Sequence, residues 1–120
     1  MSPRIMVVED DDLIRDSLVE VLEDQGYEVL SASNGRQAFE LLQTAPLPAL
    51  ILLDLMMPVL DGRGFRELQQ GDPRLAGIPV VVLTAYREID TEGMSAAAML
   101  RKPVALKTLL ETVRRYCAAA

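Results

Sequence analysis

The chain has 120 residues, a length that suits one domain built on one hydrophobic core. Half of its residues are hydrophobic and a quarter are charged, the composition of a globular protein rather than a disordered one. A net charge of −6 without a concentrated basic face excludes a general nucleic-acid or anionic-membrane binder, no apolar run is long enough to span a bilayer, and the single cysteine, Cys117, excludes an internal disulfide.

In chain order, the first apolar run, Ile5–Val8, has the length of a strand and ends on four consecutive carboxylates, Glu9, Asp10, Asp11 and Asp12. Ile14, Leu18, Val21 and Leu22 then recur at helical spacing opposite Arg15, Asp16, Glu20 and Glu23, which predicts an amphipathic helix closed by Gly26. A second strand is expected at Glu28–Ala32, followed by a helix that carries Ala38, Leu41 and Leu42 and starts after Asn34 as N-cap. The third strand, Leu50–Leu53, leads into Asp54, and a helix bearing Phe65 and Leu68 follows Asp61. The fourth strand, Ile78–Leu83, leads into Thr84; the fifth, Ala97–Leu100, leads towards Lys102. The last helix presents Leu106, Leu109, Leu110, Val113 and Tyr116 on one side after Pro103. With no secretory signal in view, a reducing cytoplasm is the expected location.

Five strands separated by helices, with the third and fourth apolar almost throughout, indicate an α/β protein whose parallel sheet is covered on both faces. Right-handed crossovers bring the carboxyl ends of such strands to one edge, where ligands bind. Glu9, Asp10, Asp54, Thr84 and Lys102, distant in sequence, therefore become neighbours. Carboxylates converging there repel by roughly 4 kcal/mol per pair at 4 Å and an effective dielectric near 20. They must protonate, spread apart or bind a cation. An oxygen-only ligand set in a chain with no histidine suits Mg²⁺ better than Zn²⁺. Lys102 can pair with an anion and the Thr84 hydroxyl can hydrogen-bond a phosphoryl oxygen, so the constellation has the parts of a phosphoryl-transfer site with Asp54 as nucleophile.

The segments VVEDDD, LILLDLMMPVLDG, VVVLTAY and AAAMLRKPV, in that order and each at a strand end, resemble the response-regulator receiver domain of two-component signalling, chemotaxis regulators among them, over essentially the whole chain. The resemblance implies a doubly wound, flavodoxin-like (βα)5 three-layer sandwich with strand order 2-1-3-4-5, and a single receiver domain over residues 1–120 that stands alone or belongs to a longer protein. It implies that Asp54 accepts a phosphoryl group from the phosphohistidine of a histidine kinase or phosphotransfer protein. Glu9, Asp10, Asp54 and the backbone carbonyl of Met56 then hold Mg²⁺, while Thr84 and Lys102 grip the phosphoryl group and Pro103 implies a cis peptide after the lysine. Asp11 and Asp12 are left to cap the following helix. The domain would catalyse its own phosphorylation and dephosphorylation without being a free-standing enzyme. It would signal to a downstream protein or a covalently linked effector domain, with no direct nucleic-acid contact and no membrane insertion.

Three features depart from the family pattern or modulate it. Met99 occupies the position three before the lysine where receivers commonly carry an aromatic switch residue, and it offers no ring or hydroxyl. The segment between Thr84 and Lys102 is about one helical turn short, which makes the fourth helix short or irregular, with Gly93 as its candidate terminator. Tyr86, two residues after Thr84, is placed to restrict water's approach to an acyl phosphate or simply to cover that helix. Met99 and the short segment motivate an alternative reading, a receiver-like interaction module that works without phosphorylation. A Mg²⁺-dependent phosphatase lacks a general acid, since Met56 stands where a second aspartate is expected, and a nucleotide binder lacks a Gly-rich loop after the first strand.

Overall fold

The apolar runs become strands because their alternate residues have two hydrophobic layers to enter. A computed structural model describes residues 3–44, 46–54, 62–84, 97–102 and 104–117. Its strands are β1 (Arg4–Val8), β2 (Glu28–Ala32), β3 (Leu50–Asp54), β4 (Val80–Thr84) and β5 (Ala98–Arg101), all parallel and ordered β2-β1-β3-β4-β5. The described helices are α1 (Asp12–Asp24), α2 (Gly35–Thr44), α3 (Gly62–Gln70) and α4 (Leu106–Cys117). The segment expected to hold a short helix between Thr84 and Ala97, Gly93 included, lies outside the described residues, as does Asp61.

Period-two alternation sorts the core into two layers. Met6, Val8, Ile51, Leu53, Val80 and Val82 face one side of the sheet and pack against Ala38 and Leu42 of α2 and Phe65 of α3. Their neighbours Ile5, Val7, Leu50, Leu52, Val81 and Leu83 face the other side and meet Leu22 of α1 and Leu109, Val113 and Cys117 of α4. Both β3 and β4 are buried from end to end, as the apolar runs predict. The fold is therefore the doubly wound three-layer sandwich in the expected strand order.

Local signals set the helix ends. Asp11 caps α1 by accepting a hydrogen bond from the Ile14 N–H at 3.1 Å, and Asn34 caps α2 by accepting one from Gln37 at 2.8 Å. Asp12 is the first residue inside α1 rather than its cap. Gly26 ends α1 in the left-handed region at φ 92°, where its N–H bonds Glu23 O and the Tyr27 N–H bonds Leu22 O, a Schellman closure.

Two further expectations need correction. β4 starts at Val80 rather than Ile78: Pro79 has no N–H to donate, and the Ile78 N–H is committed to Leu75 O at 3.1 Å. On α3, Phe65 is buried as expected but Leu68 is 42% exposed, and the fully buried neighbour is Gln69. That burial is possible because Gln69 Nε2 donates to Leu75 O and Ile78 O at 3.0 and 3.1 Å, while its Oε1 accepts from Arg66 Nη1 at 2.7 Å. The amide thereby ties α3 to the turn that leads into β4. Gln69→Leu removes the side-chain donor to Ile78 O, one of the two donors to Leu75 O and the acceptor of Arg66 Nη1, so it is expected to lower the unfolding free energy by about 1–3 kcal/mol. A urea midpoint shifted down at unchanged m-value checks this.

Candidate functional site

Five of the predicted site residues, Glu9, Asp10, Asp54, Thr84 and Lys102, sit where a strand stops. β1 ends at Val8 and delivers Glu9 and Asp10; Asp54 and Thr84 are the last residues of β3 and β4; Lys102 directly follows β5. The register aligns these ends, with Asp54 opposite Leu83 and Thr84 opposite Arg101. The Lys102 N–H donates to Thr84 O at 2.7 Å, which anchors the lysine backbone to the end of β4. The Glu9 N–H donates to Ala32 O at 3.0 Å and anchors the acidic loop to β2.

Side chains converge from three of these ends. One carboxylate oxygen each of Glu9, Asp10 and Asp54 lies within 4.8 Å of the others. Lys102 Nζ donates to both Glu9 oxygens at 3.1 and 3.0 Å and stands 3.4 Å from Asp54 Oδ2. Glu9 is only 1% exposed and Asp54 6%, while Asp10 is open to solvent. Thr84 is buried at the same edge.

The charge balance is the chemically informative part. Burial above all, helped by a hydrogen bond and by the charge of Asp54 and opposed by Lys102, pushes Glu9 from 4.5 up to about 7. Burial works against the Lys102 ammonium, but its hydrogen bond to Glu9 and the charges of Asp54 and Glu9 outweigh that and raise its pKa. One ammonium therefore does not neutralise the cluster. An all-oxygen set with excess negative charge and one solvent-open member fits a hard divalent cation that keeps several waters, which is how Mg²⁺ binds. A bound cation would reverse the upward displacement of Glu9.

The chain matches the family model "Response regulator receiver domain" over residues 5–114. The chain belongs to the response-regulator receiver family. It is 40% identical to the response regulator MprA of Mycolicibacterium vanbaalenii, over 95% of this chain and 50% of that protein, so it spans about half the length of that relative. It is 32% identical to the sporulation initiation phosphotransferase F of Bacillus subtilis, over 97% of this chain and 94% of that one. The receiver domain of a signal transduction histidine kinase from Syntrophus aciditrophicus superposes with a TM-score of 0.90 at 29% identity, covering 99% of this chain and 92% of that one. As a receiver, the chain is a component of two-component signalling.

Met56, Tyr86 and Pro103 lie outside the described residues. Met99 is on β5 and 43% exposed. Cys117 packs in the core, where burial pushes its thiol pKa up, and it carries no reactive signature. Among the described residues no helix is long and apolar enough to cross a membrane. Beside Lys102 an apolar groove of about 590 Å³ runs between α1 and α4, lined by Leu13, Ile14, Leu18, Val104 and Leu106. Sequence reasoning missed Arg15, which reaches back over the acidic loop to Glu9 O; its spacing of three from Asp12 was the available signal.

Proposed function

We propose that this receiver is a phosphorylatable switch in which Asp54 accepts a phosphoryl group from the phosphohistidine of a histidine kinase or phosphotransfer protein. The observation that carries the reading is the Lys102 ammonium between Glu9 and Asp54 at the end of β3, a buried nucleophile with a cation and further acids around it. An Asp54 oxygen attacks phosphorus as the nitrogen–phosphorus bond breaks, and the departing imidazole retains the electron pair. Glu9, Asp10 and Asp54, with the Met56 carbonyl, hold Mg²⁺, which when bound supplies positive charge for the phosphoryl oxygens. Lys102 then pairs with a phosphoryl oxygen in place of Asp54, and Thr84 donates its hydroxyl to another. These new contacts bias a pre-existing equilibrium and change a surface read by a downstream protein or a linked effector domain. Pro103 directly follows Lys102 and Tyr86 lies two residues after Thr84, and both modulate the gripping residues. Supporting context comes from the phosphotransferase F relative, whose name states phosphotransfer.

Incubation with Mg²⁺ and acetyl phosphate is expected to give a single phosphoryl adduct by intact mass that is absent in Asp54→Asn. An adduct that survives in Asp54→Asn defeats the assignment of the acceptor. A protein that binds Mg²⁺ yet takes no adduct is instead an interaction module acting without phosphorylation, the reading that Met99 favours because it offers no aromatic switch.

A further inference from the structure

We infer that Arg15 is a positioning residue that holds Asp10 in the metal site without touching it. The inference rests on the reading of Glu9, Asp10 and Asp54 as Mg²⁺ ligands. Asp10 is exposed, and among the described residues nothing hydrogen-bonds its carboxylate, yet that carboxylate lies within 4.8 Å of the other two. Its place is therefore set by its backbone. Upstream, the Glu9 N–H is tied to Ala32 O at 3.0 Å; downstream, Asp11 is tied to α1 through Ile14 N and through Arg15 N, which bonds Asp11 O at 2.8 Å. Between these anchors lies the Glu9–Asp10 peptide, and its carbonyl oxygen accepts from Arg15 Nη1 at 3.1 Å. Rotation of that peptide plane would swing the Asp10 side chain away from the cluster. The other arm of the same guanidinium is fixed on Asp12 Oδ1 at 2.6 Å, and the side chain is 17% exposed. A planar fork with two fixed contacts is stiff in a way that a lysine ammonium is not.

Charge alone predicts the opposite sign. A cation so close to the site repels a divalent ion, so its removal would tighten Mg²⁺ binding. Asp12 already meets the Arg15 charge, which leaves the positional effect in control. The same arrangement explains how four consecutive acids coexist: Lys102 takes Glu9 from inside the pocket, while Arg15 takes Asp12 and the loop backbone from outside.

Calorimetric Mg²⁺ titration of the full chain, its Arg15→Gln variant and its Arg15→Lys variant tests this, with thermal midpoints measured in metal-free buffer. Both variants are expected to bind Mg²⁺ about tenfold more weakly, the usual scale for groups that orient a metal ligand. The loss should persist between about 0.1 M and about 1 M salt, although the screening length falls from about 10 Å to about 3 Å. Equal or tighter binding by Arg15→Gln, full affinity in Arg15→Lys, or a difference that vanishes at high salt overturns the inference; a lowered midpoint with unchanged affinity does so too, since Arg15 is then structural only. If Arg15→Gln fails to fold, Arg15→Lys alone decides. A parent chain that takes up no Mg²⁺ overturns the ligand reading as well, whereas equal affinities in parent and variants overturn only the role of Arg15.

Discussion

Stripped of divalent cations, the protein is expected to lose about 3 kcal/mol of stability as pH rises from 4.5 to about 7, and Glu9→Gln is expected to abolish that loss. In the fold Glu9 keeps its proton up to about 7, whereas in the unfolded chain it gives the proton up near 4.5. Between these values the folded state binds more protons than the unfolded one, so raising the pH works against folding. The contribution is complete below 4.5 and gone above about 7, the reverse of an ordinary salt-bridged acid. Glu9 is almost wholly buried, so solvent does little to screen the effect. The amide of Gln remains neutral throughout, keeps the side chain's shape and still accepts from Lys102. Urea midpoints in chelator at about pH 5 and about pH 7.5, for parent and variant, make the comparison, and parallel slopes would show that Glu9 titrates normally. Saturating Mg²⁺ should flatten the parent's slope, because a ligand that binds only the folded, ionised site adds stability where the proton is lost.

Why the pH response concentrates on one glutamate was partly legible in the sequence. The pocket assembles through contacts 93 residues apart, between Lys102 and Glu9, and no local pattern announces such a pair. What announced it was topology: five apolar runs, four of them followed by a polar residue able to do chemistry, in a winding that sends every strand end to one edge. Capping was legible for the same local reasons, as Asp11, Asn34 and Gly26 show. Pro79 should have trimmed β4, since it can accept from the Ile51 N–H but has no N–H of its own to donate. Gln69 was illegible, because a buried amide is acceptable only when a turn brings carbonyls to it, and the path of residues 71–79 is not written in any period. Leu68 misled for the complementary reason: hydrophobicity permits burial but does not require it, and a single exposed leucine is ordinary. Arg15 offered only its spacing of three from Asp12, because its other target is a backbone carbonyl, which carries no sequence signature.

Replacement of the central cation reads the competition inside the pocket directly. Lys102→Met keeps the apolar stem that lines the groove beside Leu83 and Val104 but removes the ammonium held by Glu9 and Asp54. Breaking a buried pair from one side costs about 3–5 kcal/mol, so the metal-free variant should be less stable than the parent by about that amount near pH 8. Near pH 5 the deficit should shrink, because Glu9, already displaced upward and now without the lysine that opposed the displacement, takes a proton instead. Mg²⁺ changes the ranking. The ammonium occupies both Glu9 oxygens, so in the parent a divalent ion must displace it or share them. In the variant the ion meets carboxylates no longer held by the ammonium and is expected to bind about tenfold more tightly, an extra stabilisation of about 1.4 kcal/mol. Denaturation of both proteins with and without saturating Mg²⁺ isolates that difference. If the Mg²⁺-induced gain in the variant only equals that of the parent, lysine and metal do not contend for the same oxygens, and the ion sits elsewhere. A larger gain means that Lys102 holds the metal-free site closed electrostatically and gives way when the cation arrives, which leaves its ammonium available for the phosphoryl oxygen at the moment Asp54 becomes modified.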